Sequence, residues 1–84
     1  MKPVKVSVLD IRTVANREKH LSIFRAFDDL AAGESFQLVD DHNPAHLQGK
    51  CKAERTGECE WKYLEKGPRV WRVNITRKVG SHLR

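Results

Sequence analysis

Apolar and polar residues alternate near the start of the chain, and this pattern predicts a first β-strand. Every second residue from Val4 to Val8 is apolar, which is the period of a strand with one buried face. The apolar run continues to about Ile11, and the stretch 13–16 that follows predicts a turn. We therefore expect the strand to end at about Ile11.

A period of three to four residues follows and predicts an amphipathic helix of about four turns. Its apolar stripe contains six residues: His20, Ile23, Phe24, Phe27, Leu30 and Ala31. The charged residues between them are expected to point mostly outward: Arg17, Glu18, Lys19, Arg25, Asp28 and Asp29. Gly33 is expected to end the helix. Apolar residues from Phe36 to Val39 then predict the second strand.

Two strands separated by one helix predict a right-handed parallel βαβ unit. In such a unit the carboxyl ends of both strands lie at the same edge of the sheet, each before its own helix. Asp10 and Arg12 stand at the end of the first strand, whereas Asp41 and His42 follow the second. The four side chains should therefore lie close together, and this edge is the predicted binding site.

The second half of the chain predicts a short helix and a β-hairpin. Asn43 is suited to cap a helix and Pro44 to occupy its first position, so the helix should run from Pro44 to about Arg55. The hairpin comprises strands over about residues 59–63 and 71–76, joined by a turn at 65–68. The order β-α-β-α-β-β predicts an α+β two-layer sandwich, in which two helices cover one face of a four-stranded mixed sheet.

Composition narrows the class of protein and its partners. A chain of 84 residues predicts a single domain, monomeric or homodimeric, ordered over about residues 4–77 with a flexible tail at 78–84. The net charge of +5 attracts anions, but a solubilising surface is the favoured interpretation and nucleic acid is not an expected partner. Two cysteines, without a signal-peptide or membrane-span pattern, predict a cytoplasmic protein that does not contact a membrane.

Two blocks of the sequence resemble a known family. The blocks are Val39-Asp40-Asp41-His42-Asn43-Pro44 and Trp61-Lys62-Tyr63-Leu64-Glu65-Lys66-Gly67-Pro68, the latter followed by Trp71-Arg72-Val73. From about Leu9 to Arg77 the chain resembles the bacterial uncharacterised-domain family 2249 (DUF2249), which is similar to the TusA/SirA-like sulfur-carrier fold. Two positions depart from the family pattern: Asp40 stands where the family usually has Asn, and Asn43 stands where it usually has Asp.

The resemblance implies the same two-layer sandwich, but no established activity and no identified cofactor. It also implies hemerythrin-like or cupin-like proteins as partners. Sulfur carriers of this fold have Cys-Pro before the first helix, where a persulfide forms on the cysteine. This chain has Thr13-Val14-Ala15-Asn16 at the corresponding turn. Sulfur relay at that position is therefore excluded.

Each candidate site residue has a functional and a structural interpretation. Asp41 and His42 supply a carboxylate and an imidazole, which could bind a metal, act as an acid/base pair or only shape the turn. His20 could join His42 in a metal site, but a packed core histidine is favoured at that position. Asp10 and Arg12 either form an ion pair or present the guanidinium to an anion.

The aromatic residues of the hairpin have a structural interpretation. Trp61, Tyr63 and Trp71 are expected to pack in the core rather than to form a platform that stacks bases or a planar cofactor. Gly67 and Pro68 are expected to form the turn between the two strands.

Cys51 and Cys59 occupy apolar positions of a helix and a strand, so buried side chains are favoured over a redox pair. An enzyme is the least supported class, because no nucleophile-plus-base arrangement or phosphate-binding loop is evident. The favoured function is a non-enzymatic accessory module that binds a small anion, a metal or a protein partner at the predicted edge. Two alternatives stay open: sulfur or redox chemistry at Cys51 or Cys59, and nucleic-acid binding by a basic sheet face.

Overall fold

The computed structural model describes residues 7–78, which form four strands and two helices. In chain order the elements are β1 (Val8–Asp10), α1 (Asn16–Asp28), β2 (Ser35–Asp40), α2 (Ala45–Glu54), β3 (Cys59–Lys66) and β4 (Trp71–Arg77). The predicted beginning of the first strand and the predicted tail beyond Lys78 lie outside the described residues. Within the described range, no helix is long and apolar enough to cross a membrane.

The strands form one mixed sheet in the order β1-β2-β4-β3. β1 runs parallel to β2, as a βαβ unit requires, and β4 is antiparallel to both β2 and β3. The predicted α+β fold of order β-α-β-α-β-β is therefore confirmed. Because of these directions, β1, β2 and β3 end at the same end of the sheet at which β4 begins.

Both helices pack against one face of the sheet, over the side chains that point inward along the alternating strands. α1 contacts β2 and β4, whereas α2 contacts α1 and β3. The core comprises thirteen residues: Ile11, Ile23, Phe24, Ala26, Phe27, Leu30, Phe36, Leu38, Leu47, Cys51, Cys59, Val73 and Ile75. Trp61 and Tyr63 of the hairpin are partly buried and pack against this core, as predicted. Trp71, for which the same packing was predicted, is partly buried but does not belong to this group.

The opposite face of the sheet is polar. Gln37 of β2 and Asn74 of β4 are register partners there. Arg72 donates hydrogen bonds to Oε1 of Glu65 at 3.0 Å and to Oε1 of Gln37 at 3.2 Å. This polar face is the surface that would bind nucleic acid under one of the alternatives. Arg72 on this face is already held by neighbouring side chains.

α1 ends earlier than predicted, at Asp28 rather than near Ala31. The amide of Leu30 donates to the carbonyl of Phe27 at 3.0 Å, a three-residue spacing that tightens the last turn. Leu30 still reaches the core, although it lies outside the helix. The sequence pattern extended the helix too far because this buried loop residue keeps the helical spacing.

β3 is longer than predicted, because it continues to Lys66 through part of the expected turn. The register shifts between Tyr63 and Glu65, so that Glu65 pairs with Arg72 and Lys66 pairs with Trp71. Such a bulge inserts an extra residue and interrupts the apolar–polar alternation. The alternation therefore predicted the strand only as far as Tyr63.

Candidate functional site

Asp40 is the last residue of β2, and its side chain is completely buried. It follows Leu38 on the helix-covered face of the sheet, and its register partner on β4 is Trp71. Oδ1 of Asp40 accepts a hydrogen bond from the backbone N–H of Asp41 at 2.8 Å. Oδ2 is buried and has no hydrogen-bond partner among residues 7–78. An unsatisfied buried carboxylate oxygen costs free energy, so Oδ2 of Asp40 indicates a candidate binding site at the end of β2.

Lys19 of α1 is the counter-ion of Asp40. Its Nζ donates to Oδ1 of Asp40 at 3.3 Å, and the exposed fractions of the two side chains are 5% and 0%. The prediction that Lys19 points outward is wrong, because Lys19 precedes Ile23 by four residues and shares its inward-facing stripe. The aliphatic stem of a lysine can be buried while its ammonium reaches an acid.

Sequence reasoning left Lys19 and Asp40 out of the candidate site, although each position carried a signal. Asp40 stands two residues after Leu38 in an alternating strand and therefore faces the same way. Lys19 stands one helical turn before Ile23. Neither signal shows that the two charges meet, because their distance depends on how α1 crosses the sheet.

Asp41 and His42 follow β2 and have side chains that are 54% and 50% exposed. Nδ1 of His42 lies 2.8 Å from Oδ1 of Asp41 and 3.5 Å from Oδ1 of Asp40. The hydrogen bond with His42 lowers the pKa of Asp41, and the positive charge of Lys19 lowers it further. We refer to Asp40, Asp41 and His42 as the acid–histidine cluster.

The dimensions of the acid–histidine cluster are close to those of a metal site. One ligand atom from each of its three residues lies within 4.8 Å of the others. Two ligands that each bind an ion at about 2.1 Å are at most about 4.2 Å apart. A small decrease in the distances between these ligand atoms would therefore be enough for all three to coordinate one ion. The side chains of Asp41 and His42 can make this movement because they are exposed.

Asp10 and Arg12 form a two-pronged ion pair at the end of β1. Nε of Arg12 donates to Oδ1 of Asp10 at 2.9 Å, and Nη2 donates to Oδ2 at 2.6 Å. These hydrogen bonds lower the pKa of Asp10 from 3.8 to about 2. The pKa of Arg12 is raised chiefly by Asp10 and additionally by the charge of Asp41, which lies at the same edge of the sheet. The ion pair is thus the arrangement that the structure contains.

Acid should remove the stabilisation that this ion pair provides. Because the pKa of Asp10 is depressed in the folded state, the contribution is complete above 3.8 and is lost as the pH falls through about 2. The effect should be small and weakened by salt, because the pair is nearly half exposed. Urea unfolding between about pH 4 and pH 2 should therefore show a smaller loss of stability in Asp10→Asn than in the wild type.

The Arg12→Gln variant is the matched control, because it removes the partner and leaves the carboxyl group. It should show the same reduced loss of stability in acid as Asp10→Asn. An acid profile that stays unchanged in both variants would contradict a stabilising role for the pair.

His20 lies apart from the acid–histidine cluster. Its ring packs edge-on against Phe24, with 6.0 Å between the ring centroids. In the described part of the chain, the residues grouped closely enough to hold an ion are Asp40, Asp41 and His42, without His20.

The aromatic residues of the hairpin meet the cluster at the same end of the sheet. The hydroxyl of Tyr63 donates to Oδ1 of Asn43 at 3.1 Å, and the Tyr63 ring contacts Trp71 edge to face. Trp71 in turn pairs with Asp40 across the β2–β4 ladder. The two sequence blocks that carry the family resemblance are therefore adjacent in space.

α2 begins at Ala45, one residue later than predicted, and Pro44 is its N-cap residue. The carbonyl of Pro44 already accepts hydrogen bonds from the amides of Leu47 and Gln48. Asn43 supports the helix from one position further out, because its Oδ1 accepts a hydrogen bond from the amide of Ala45 at 3.1 Å. The predicted cap and first helical positions were thus each displaced by one residue.

The fold and the site together define a small α+β domain with a polar cluster at the carboxyl ends of its two parallel strands. The chain belongs to the family described as "Uncharacterized conserved protein (DUF2249)", whose model matches residues 8–77. The match covers every strand and helix of the structure, including the acid–histidine cluster and the aromatic hairpin. No curated protein and no solved structure matches the chain.

Proposed function

We propose that this domain is a non-enzymatic binding module that holds a divalent transition-metal ion on Asp40, Asp41 and His42. The observation that carries the proposal is Oδ2 of Asp40, a buried carboxylate oxygen without a hydrogen-bond partner among the described residues. Leaving such a group unsatisfied typically costs about 1–3 kcal/mol or more. A bound ion would supply the missing partner.

The donor set favours a transition metal over Mg²⁺ or Ca²⁺. Imidazole nitrogen suits Zn²⁺, Fe²⁺, Ni²⁺ and Cu²⁺, whereas sites for the hard cations are built from oxygen alone. Three protein ligands leave at least one coordination position open, as in metal sites that bind a further molecule. A small ligand, or a side chain of a hemerythrin-like or cupin-like partner, would complete the coordination there.

The charges at this edge favour a cation over a small anion. Arg12 is held by Asp10, Lys19 by Asp40 and Arg72 by Glu65, so these three cations near the edge already have acidic partners. Asp41 adds a half-exposed negative charge beside His42. An arriving anion would have to displace a carboxylate, whereas an arriving cation meets carboxylate oxygens.

Isothermal titration of the metal-free chain with Zn²⁺ tests the proposal. The wild type should bind one ion per chain, and amide NMR signals of residues 40–43 should shift during the titration. His42→Gln and Asp41→Asn should each weaken the affinity at least about tenfold, because even the loss of a second-shell partner commonly costs 10- to 100-fold.

The chain offers a matched control in His46, an exposed histidine near the beginning of α2. His46→Gln should leave the affinity and the shifted signals unchanged. Equal affinity in the wild type and His42→Gln, or no heat on titration of the wild type, would overturn the proposal.

A further inference from the structure

The two oxygens of the Asp40 carboxylate have different surroundings. Oδ1 accepts hydrogen bonds from Nζ of Lys19 at 3.3 Å and from the amide of Asp41 at 2.8 Å. Nδ1 of His42 lies 3.5 Å from the same oxygen. Oδ2 is buried and has no hydrogen-bond partner among residues 7–78. An ion can therefore bind to Oδ2 while Lys19 keeps its contact with Oδ1.

The ammonium of Lys19 is fixed beside Asp40 by its position in the fold. Its side chain is only 5% exposed and lies at the beginning of α1, one turn before the buried Ile23. α1 packs against β2, the strand that ends at Asp40. An exposed lysine could turn into solvent when a cation arrives, whereas Lys19 is surrounded by protein. Its positive charge therefore stays next to the ion that the cluster would bind.

This fixed charge determines the sign of the site once an ion is bound. Asp40 and Asp41 contribute two negative charges, Lys19 contributes one positive charge, and a histidine that binds a metal is neutral. Before an ion binds, the group therefore carries one negative charge and attracts a cation. With a divalent ion bound, the same group carries one positive charge.

The neighbouring ion pairs do not reverse this sign. The pair of Arg12 with Asp10 and the pair of Arg72 with Glu65 are each neutral overall. Lys66, the last residue of β3, is exposed and adds a positive charge at the same end of the sheet. The surroundings of the metal-loaded site therefore favour a negatively charged molecule over a neutral one.

On the basis of the proposed metal site, we propose that Lys19 makes the loaded site select a small anion for its open coordination position. Lys19 is thus a specificity-determining residue that acts through charge and does not itself bind the metal. Binding is ordered, because carboxylates repel the anion until the divalent ion has reversed the charge of the site. The metal is then the means by which this domain binds its anionic ligand.

The test uses Co²⁺ as the metal, because its visible absorption reports a change of ligands. The Co²⁺-loaded full chain is titrated with azide, a small anion, and separately with pyridine, a neutral ligand. Lys19→Gln removes the charge but retains a hydrogen-bond donor for Oδ1 of Asp40. Its affinity for azide should be about tenfold lower than that of the wild type, because a unit charge a few ångströms away changes affinity by roughly this factor. Its affinity for pyridine should change by less than about twofold, because a neutral ligand does not sense the charge.

The affinity for Co²⁺ separates this role from a purely structural one. Lys19→Gln should bind Co²⁺ more tightly than the wild type, because the repulsion between the ammonium and the ion is gone. A residue that only maintained the shape of the site would weaken the binding of both Co²⁺ and azide when replaced. Lys19→Arg retains the charge and should keep the wild-type affinity for azide, as should Lys50→Gln at an exposed position of α2.

Circular dichroism first establishes that the variants at position 19 are folded. If they are not, the Zn²⁺-loaded wild type decides, because azide should then shift the side-chain NMR signals of Lys19 and leave those of Lys50 in place. Unshifted Lys19 signals, or equal azide affinity in the Co²⁺-loaded wild type and Lys19→Gln, would overturn this inference alone. Absence of Co²⁺ binding by the wild type would overturn the metal site as well.

Discussion

Replacing Lys19 by Met should destabilise the domain by about 3–5 kcal/mol, because it leaves the buried Asp40 carboxylate without its counter-ion. A domain of 84 residues has a total stability of only about 4–13 kcal/mol. The variant should therefore show a large fall in its urea midpoint at neutral pH. Lys50→Met is the matched control, because Lys50 is exposed on α2 and its replacement should change stability by less than about 0.5 kcal/mol.

A double variant separates the loss of charge balance from the loss of packing. Replacing a buried ion pair by apolar residues of similar volume is often neutral or stabilising. Lys19→Met combined with Asp40→Leu should therefore be markedly more stable than Lys19→Met alone. The Lys19–Asp40 pair is not important for folding if Lys19→Met loses no more stability than Lys50→Met. The same conclusion follows if the double variant is less stable than Lys19→Met alone.

The Lys19→Met variant also connects stability with the proposed metal site. A ligand that binds only the folded state adds stability in proportion to the logarithm of its concentration above Kd. Because a bound cation would balance the charge of Asp40 in place of the lysine, Zn²⁺ should restore part of the lost stability. The same addition to Lys19→Met/His42→Gln should restore much less, since one metal ligand is then missing.

Replacing Gly67 by Ala should give the second large effect, because it combines backbone strain with a steric clash. Gly67 has a φ of 65°, a left-handed conformation that costs an L-residue about 1–2 kcal/mol. A Cβ at this position would also lie 2.8 Å from the indole of Trp71. Forcing that side chain aside costs about another 1–3 kcal/mol. Urea unfolding of the variant measures the sum.

Two other glycines separate these contributions. Gly57 has a φ of 79°, but a Cβ added there would meet nothing within 4 Å, so Gly57→Ala should show the backbone strain alone. Gly49 is helical and has the same open space around a Cβ, so Gly49→Ala should stabilise the domain by about 0.5–1 kcal/mol. From the most to the least stable, the expected order is therefore Gly49→Ala, wild type, Gly57→Ala and Gly67→Ala. Equal losses for the Gly57 and Gly67 variants would show that Trp71 yields without cost.

Moving Trp71 should also affect the acid–histidine cluster, because Trp71 is the register partner of Asp40. Gly67→Ala should therefore weaken Zn²⁺ binding, whereas Gly57→Ala should leave it unchanged. This comparison tests whether the hairpin turn supports the site or only the fold.

The fold could be predicted from the sequence because it depends on local periodicity. Alternation identified β4, an apolar run identified β2, and the helical spacing of Ile23, Phe24 and Phe27 identified α1. A helix between two strands then required a parallel pair. The errors lie at the ends of elements, where the pattern is interrupted or imitated. Leu30 keeps the helical spacing although it lies beyond the helix, so the helix was predicted too long. The bulge after Tyr63 interrupts the alternation, so β3 was predicted too short.

The candidate site could be predicted only in part. Asp41 and His42 were identified because acid and histidine follow a strand directly, and the parallel pair brought Asp10 and Arg12 to the same edge. Whether Arg12 faced an anion or Asp10 could not be settled from spacing, since both arrangements allow the same backbone. The structure has the guanidinium on Asp10.

By itself the sequence determined the order of the strands and helices and the edge at which the polar residues gather. It did not determine the buried face of β1, because Val8 on the predicted apolar face is 57% exposed, whereas Leu9 packs against the core. The order and the edge follow from the periods of side chains along a strand or a helix, which are properties of neighbouring residues. Only the tertiary structure decided that Lys19 meets Asp40, that one oxygen of Asp40 has no partner among residues 7–78, and that Cys51 and Cys59 belong to the same buried cluster. Those contacts join residues on different elements, and their distances depend on how the helices cross the sheet, which no local period specifies.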